Sequence, residues 1–184
     1  MEKTKMEFKY CPNCGKRLDE GDMAEYKRAW KCVCGMELFN NVATAVGLLI
    51  KMPDGKILFE RRAKEPRKGF LAFPGGFCDP DETAEEACER ECMEEIGVKP
   101  GSLKYIASFP NSYTFRGIQY KTCDLFFEAK IPEGAELKAQ ESEVESFEPR
   151  FVRNKEELSE LPLAFESARK TLEKYIEKTE KQDD

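Results

Sequence analysis

The chain has 184 residues, 40% of them hydrophobic with 13 Phe, which allows one catalytic-sized domain plus a small appendage and excludes global disorder. A net charge of −6 argues against nucleic-acid binding driven by bulk charge and leaves room only for a local basic site. With no histidine and eight cysteines, a zinc site must be built from Cys, and acid–base chemistry falls to carboxylates, Lys, Tyr, Cys or metal-activated water. No apolar run is long enough to span a bilayer, and the start, MEKTKMEFKY, lacks the apolar centre of a signal peptide. The expectation is a cytoplasmic protein, where cysteines point to metal or buried thiols rather than disulfides.

Residues 1–39 carry Cys11-Pro-Asn-Cys14-Gly15 and, seventeen residues on, Cys32-Val-Cys34-Gly35. Two close pairs on facing turns suit a tetrahedral thiolate zinc site at Cys11, Cys14, Cys32 and Cys34, and a Gly after each second Cys relieves the tight backbone there. So short a segment cannot build an adequate apolar core, so bound metal would supply its folding energy. Free thiols or a redox pair are the alternatives. The segment resembles the zinc ribbon in front of some nucleotide-processing enzymes. Its eight Lys/Arg against seven Asp/Glu favour a structural or dimerising role over nucleic-acid reading.

The second domain is expected over residues 40–184. Val42–Ile50 reads as a buried strand and Lys56–Arg62 as its partner, joined by a turn at Pro53-Asp54-Gly55. Leu71–Phe73 is a short strand entering Pro74-Gly75-Gly76. A helix follows; then Leu103–Phe109, Tyr113–Phe115 and Gln119–Ile131 read as strands, with a turn at Arg116-Gly117. Residues 147–152 add one more strand. Pro162–Lys178 reads as a terminal helix with Phe165, Ala168 and Leu172 on one face, and the tail KTEKQDD should fray. Strands with helices between and after them imply a mixed sheet packed by helices.

The helix after Gly76 raises an electrostatic problem. Gly75 to Val98 holds seven Glu and two Asp against one Arg. Thr83-Ala-Glu-Glu86 matches a capping box, and Gly97 can end the helix. Glu91, Glu94 and Glu95 then share one face, in line with the small residues Ala84, Ala87 and Cys88 one and two turns earlier. Like charges at this spacing cost about 0.2–0.5 kcal/mol a pair, and the helix C-terminus adds about 0.3–1 kcal/mol per anion. Arg90 can pair with Glu86 and Glu94 but cannot neutralise the face. A hard divalent cation, Mg²⁺ or Mn²⁺, can. The bland alternative is a solvated acidic helix.

Gly76, five residues, Glu82, seven residues and then Arg90-Glu91-Cys92-Met93-Glu94-Glu95-Ile96-Gly97-Val98 resembles the signature of the Nudix hydrolases, Cys92 being the one loose match. The resemblance extends over residues 40–184. It implies an α/β/α sandwich with a mixed central sheet, and hydrolysis of the pyrophosphate in a nucleoside diphosphate linked to another moiety. It implies Mg²⁺ or Mn²⁺ at Glu91, Glu94 and Glu95, with Gly75 in the same metal site. Arg90 would orient the carboxylates and Glu82 would support the loop. Gly75 and Gly76 would let the backbone approach closely, Gly76 facing substrate.

Outside the motif, Glu143 within Gln140–Glu145 is a candidate extra base or ligand, a solvated loop being the alternative. Arg61, Arg62 and Arg67, with Lys64 and Lys68, are candidate phosphate contacts. Tyr113, Phe115 and Tyr120 could stack on a base, though strand aromatics are more often core.

A ribbon before such a domain resembles the NADH pyrophosphatases, which carry Ser-Gln-Pro-Trp-Pro-Phe-Pro-x-Ser after the signature. Here Ser108-Phe-Pro110-Asn-Ser112-Tyr113 keeps a Ser and a Pro but no Trp; the single Trp is Trp30. NADH, ADP-ribose, a related dinucleotide and a nucleoside triphosphate all stay open. So do a non-catalytic nucleotide sensor and an RNA-binding module. Family precedent favours a homodimer.

Overall fold

The computed structural model describes residues 8–18, 29–132, 134–139 and 143–180. The chain divides into two compact units, Met1–Val42 and Ala43–Asp184.

In the first unit, β1 (Ala29–Lys31) pairs antiparallel with β2 (Glu37–Phe39), Trp30 lying opposite Leu38. An isolated bridge, Tyr10 to Arg17, closes the other turn. The apolar interior is four buried residues, Cys11, Leu18, Trp30 and Cys32, flanked by Phe8, Met36 and Leu38. Gly15 (φ +72°) and Gly35 (φ +90°) both take the left-handed conformation that the chain needs just after each cysteine pair.

The second unit is built on a mixed six-stranded sheet. β3 (Ala43–Lys51) runs parallel to β7 (Ile118–Lys130), and β6 (Ser102–Phe115) forms an antiparallel hairpin with β7. β4 (Ile57–Arg62) meets β3 at one end and the two-residue β5 (Leu71–Ala72) at the other, while β8 (Val144–Arg150) pairs along its opposite edge. Side chains alternate across this sheet. Val46, Leu48, Ile50 and Leu58 face α1 (Ala84–Ile96), where Ala87, Cys88, Cys92 and Ile96 are buried. Leu49, Ile57, Phe59 and Phe126 face α3 (Glu166–Glu180) through Ala168, Leu172 and Ile176. The result is the expected α/β/α sandwich.

Three expectations need correction. β6 is continuous through Pro110, where a break had been expected; β6 is an edge strand, and an edge accommodates the missing N–H. The terminal helix begins at Glu166, not at Pro162, because the preceding residues run beside β5: Leu71 N–H donates to Pro162 O at 2.9 Å, and Ala164 N–H to Leu71 O at 2.8 Å. A five-residue helix, α2 (Lys155–Ser159), was not anticipated; Asn154 caps it by accepting from Glu157 N–H. The Arg116-Gly117 turn is found, both residues at positive φ, which a two-residue hairpin requires. The expected fraying of the tail falls largely on residues 181–184, outside the described residues.

Candidate active site

The N-terminus of α1 is fixed by local chemistry. Thr83 Oγ1 accepts from Glu86 N–H at 3.2 Å, and the Glu86 carboxylate accepts from Thr83 N–H at 2.8 Å. This reciprocal cap occupies Glu86, so the expected Arg90–Glu86 pair does not form. Arg90 turns instead to the loop and to its own helix. Its Nε donates to Glu82 Oε1 at 2.9 Å, and its Nη2 to Glu82 Oε2 at 3.0 Å and to Phe77 O at 2.9 Å. Its Nη1 donates to Glu91 Oε1 at 2.8 Å and to Glu94 Oε2 at 3.2 Å. One guanidinium thus ties three carboxylates to the loop, a geometry lysine could not supply. The Arg90 bonds, then the Asp79 N–H, hold Glu82 below the usual carboxylate range, while burial pushes Glu91 up against the pull of Arg90.

Glu95 points the other way. It is buried, and its Oε2 accepts from Gly75 N–H at 2.7 Å. Beside it lies Glu60 of β4, only 2% exposed, whose Oε2 finds no hydrogen-bond partner among the described residues. Burial raises both acids, and each feels other carboxylates nearby. Sequence reasoning missed Glu60. Strand alternation was the available signal: Glu60 shares a face with Leu58, which packs on α1.

The two glycines position this group. Gly75 has φ +138°, and a Cβ there would lie 2.2 Å from Val46 O. A Cβ on Gly76 would lie 2.4 Å from Glu91 Oε1. Both glycines also line a cavity of about 250 Å³ in the second unit. Its wall includes Arg62, Tyr113 and Phe165, and its buried polar residues are Thr122, Asp124 and Ser167. Tyr113 packs on Phe165 with ring centroids 5.6 Å apart, and the Arg62 guanidinium sits 5.4 Å from the Phe165 ring.

Of the residues singled out from the sequence, Gly75, Gly76, Arg62, Tyr113 and Glu143 meet at this cavity. Glu143 pairs with Lys64 at 3.3 Å, and its carbonyl accepts from Ala63 N–H at 2.7 Å. The neighbouring Gln140–Ser142 lie outside the described residues. Arg61 is not brought there: one strand position from Arg62, it is bound by Glu148 and by Gly69 O in a separate hollow. Arg67 lies over Phe70 and lines a third depression with Ser112 and Tyr113. Asp124 and Ser167 are cavity residues the sequence reading did not single out.

In the first unit the four thiols come together. Cys11 Sγ is 3.7 Å from Cys34 Sγ, and Cys14 Sγ is 3.6 Å from Cys32 Sγ. Among the described residues this is the only group of three or more Cys, Asp or Glu whose donor atoms all lie within 4.8 Å of one another. Glu91, Glu94 and Glu95 are not gathered so closely: Glu94 reaches out to Arg90, and Glu95 turns inward. The Asn13 amide, followed by the Met36 backbone, draws the Cys34 thiol down. Cys88 and Cys92 are buried in the face of α1, and burial pushes each thiol up to about 12.

The profile of the NUDIX domain matches residues 42–175. The chain is 31% identical over 172 residues to the NAD-capped RNA hydrolase NudC of Deinococcus radiodurans, a match that covers 89% of this chain and 55% of that one. It is 34% identical over 110 residues to the human NAD-capped RNA hydrolase NUDT12, covering 56% of this chain and 24% of that one. The chain therefore spans about half the length of the first relative and a quarter of the second. A Nudix hydrolase from Nitrosomonas europaea superposes with a TM-score of 0.66 at 22% identity, covering 95% of this chain and 93% of that one, a likeness of fold.

Proposed function

We propose, for a chain that belongs to the NUDIX domain family, that it is a divalent-metal-dependent hydrolase cleaving the pyrophosphate of a nucleoside diphosphate linked to another moiety, such as NADH, NAD or ADP-ribose. The observation that carries this reading is the Arg90 fork, which joins Glu82, Glu91 and Glu94, with Glu91 against Gly76 of the cavity wall. The donor set suits Mg²⁺ or Mn²⁺: hard oxygens on Glu91, Glu94 and Glu95, with the orphaned Oε2 of buried Glu60 nearby. When bound, such a cation supplies Lewis-acid polarisation of the phosphoryl oxygens.

The chain's own residues do the rest. Gly75 N–H fixes the Glu95 carboxylate. Arg90 holds Glu91 and Glu94 in place through two hydrogen bonds from one guanidinium nitrogen. Arg62 puts a positive charge on the cavity wall to meet the substrate's phosphates. Glu143, which lines the same cavity, is the proposed acceptor of the proton from the attacking water. The water oxygen bonds to phosphorus, the bridging P–O bond breaks, and a nucleoside monophosphate leaves with its electron pair.

In the first unit, zinc is the natural occupant of the thiol cluster. Tetrahedral zinc with bonds of about 2.3 Å sets sulfurs about 3.8 Å apart, near the observed 3.6 and 3.7 Å. A disulfide needs about 2.05 Å. We read the ribbon, residues 1–39, as structural, the chain as cytoplasmic and the assembly as a homodimer. No helix among the described residues is long and apolar enough to cross a membrane.

A second reading follows from the relatives, which are named as hydrolases of NAD-capped RNA: the dinucleotide could be presented on an RNA end. The balanced charge of the ribbon weighs against it. The test is cleavage with Mg²⁺ and with Mn²⁺ over NADH, NAD, ADP-ribose, FAD, nucleoside triphosphates and NAD-capped RNA, with products identified by mass. Release of a nucleoside monophosphate from a dinucleotide is expected. Preferential cleavage of triphosphates would replace this reading with the triphosphate alternative. Tight binding with no cleavage would make the chain a sensor.

A further inference from the structure

The cavity lining holds a carboxyl group that the reaction just described does not use. Asp124 of β7 is 8% exposed, yet it lines the cavity. Its Oδ2 accepts from Ser167 Oγ at 2.6 Å, and its Oδ1 accepts from Thr122 Oγ1. Ser167 is itself held by the first turn of α3, its carbonyl accepting from Thr171 Oγ1 at 2.9 Å. A carboxylate offers about four acceptor positions, so two hydroxyls leave it unfilled. No basic side chain among the described residues forms an ion pair with it. Burial, and then the Asp124 charge, push the Tyr113 phenol up, which places that anion close to the aromatic wall. Asp124 is therefore a buried carboxylate held by two neutral hydroxyls, with acceptor capacity left for a donor in the cavity it lines.

The walls restrict what can supply the donor. Tyr113 and Phe165 offer flat apolar faces, and the Arg62 guanidinium lies over the Phe165 ring at the same cavity. A cavity of about 250 Å³ is smaller than the roughly 300–1,000 Å³ of drug-sized pockets and suits one ring of a dinucleotide rather than both. We propose that Asp124, set by Ser167 and Thr122, is the acceptor that selects a planar nitrogenous ring bearing an N–H donor, an assignment that rests on the chain being a nucleotide hydrolase. Two substrate groups present that chemistry: the exocyclic amine of adenine and the carboxamide of nicotinamide.

Calorimetric binding to the full chain distinguishes them without requiring turnover. One pair of probes is AMP and purine riboside 5′-monophosphate, which lacks the amine. The other is nicotinamide mononucleotide and nicotinic acid mononucleotide, whose carboxylate faces Asp124 with like charge. In one pair, the donor-bearing member should bind about ten- to a hundredfold tighter, the worth of a hydrogen bond to a charged group; which pair responds identifies the ring. Asp124→Asn, nearly isosteric, should erase the preference, whereas Ser167→Ala, which retains the carboxylate, should keep most of it. Equal binding within both pairs, no binding of any probe, or a preference that survives Asp124→Asn each overturns the assignment. If dinucleotides are cleaved but no ring preference exists, this inference alone falls. If the preference holds and nothing is cleaved, the hydrolase reading falls and the ring site stands.

Discussion

The four thiols of the first unit stand on two turns over an interior of four buried residues, already within 4.8 Å of one another. The carboxylates of the second unit stand on a helix that belongs to a cluster of ten buried residues, and they point apart, toward Arg90, Gly75 and Glu60. The first cluster has convergent ligands and little core; the second has a full core and ligands that still need to be drawn together. On the roles proposed above, metal makes the fold of one unit, while the fold of the other makes a metal site. The same element class can therefore carry folding energy in one place and catalysis in another, and the surrounding apolar volume decides which.

The largest expected effect separates the units by their metal dependence. Trp30, the single tryptophan, is buried in the ribbon interior, so its fluorescence reports that unit alone. Stripping the metal with a strong chelator should red-shift Trp30 emission fully while the helix content of the second unit persists. Unchanged emission after verified metal loss would erase the contrast.

Next is Glu94→Gln, which removes one charge from the Arg90 fork at a half-exposed position. Turnover should fall by about a hundredfold or more with little change in melting temperature. Activity close to wild type would remove Glu94 from the metal assignment.

Adjacent glycines sharpen the difference between fold and site. Gly75→Ala places Cβ against backbone at positive φ and should destabilise the chain by about 2 kcal/mol or more. Gly76→Ala meets only the movable end of Glu91, so it should lower turnover more than about tenfold while the melt hardly shifts. Thermal melts and initial rates of the two variants provide the check.

The smallest effect concerns β4. Arg62→Ala should raise KM several-fold, whereas Arg61→Ala, whose partners are Glu148 and Gly69, should leave KM alone and cost about 1 kcal/mol of stability. Equal KM effects would mean that the alternation of β4 does not sort phosphate contacts.

The fold was legible where the signal is local. Thr83 and Glu86 cap each other within one turn, and Gly97 ends the helix at φ +77°, so α1 could be placed from sequence alone. Pro110 misled because its tolerance depends on β6 being at an edge, which only the pairing order establishes. Pro162–Phe165 reads as helix by composition, yet Leu71 captures its backbone from ninety residues away. The site followed the same division. The family resemblance singled out Glu82, Arg90 and Glu91, which the structure joins by hydrogen bonds, whereas Glu60, Asp124 and Ser167 are single polar residues whose meaning comes from what faces them across the fold.

The direct measurement is Mn²⁺ binding to the full chain by electron paramagnetic resonance, wild type against Glu95→Gln, as a function of pH. Burial raises Glu95 from an ordinary 4.5 to about 8 in the metal-free chain, with Gly75 N–H opposing. The free folded chain thus holds a proton there that the unfolded chain loses, so metal-free stability falls as pH rises through this window. A cation must displace that proton. Its apparent affinity should therefore climb by up to about tenfold per pH unit toward pH 8 in wild type, and this slope should be shallower in Glu95→Gln, where Glu60 is the raised acid that remains. Mn²⁺ affinity that is flat with pH, or unchanged by Glu95→Gln, would contradict a cation held by the α1 carboxylates.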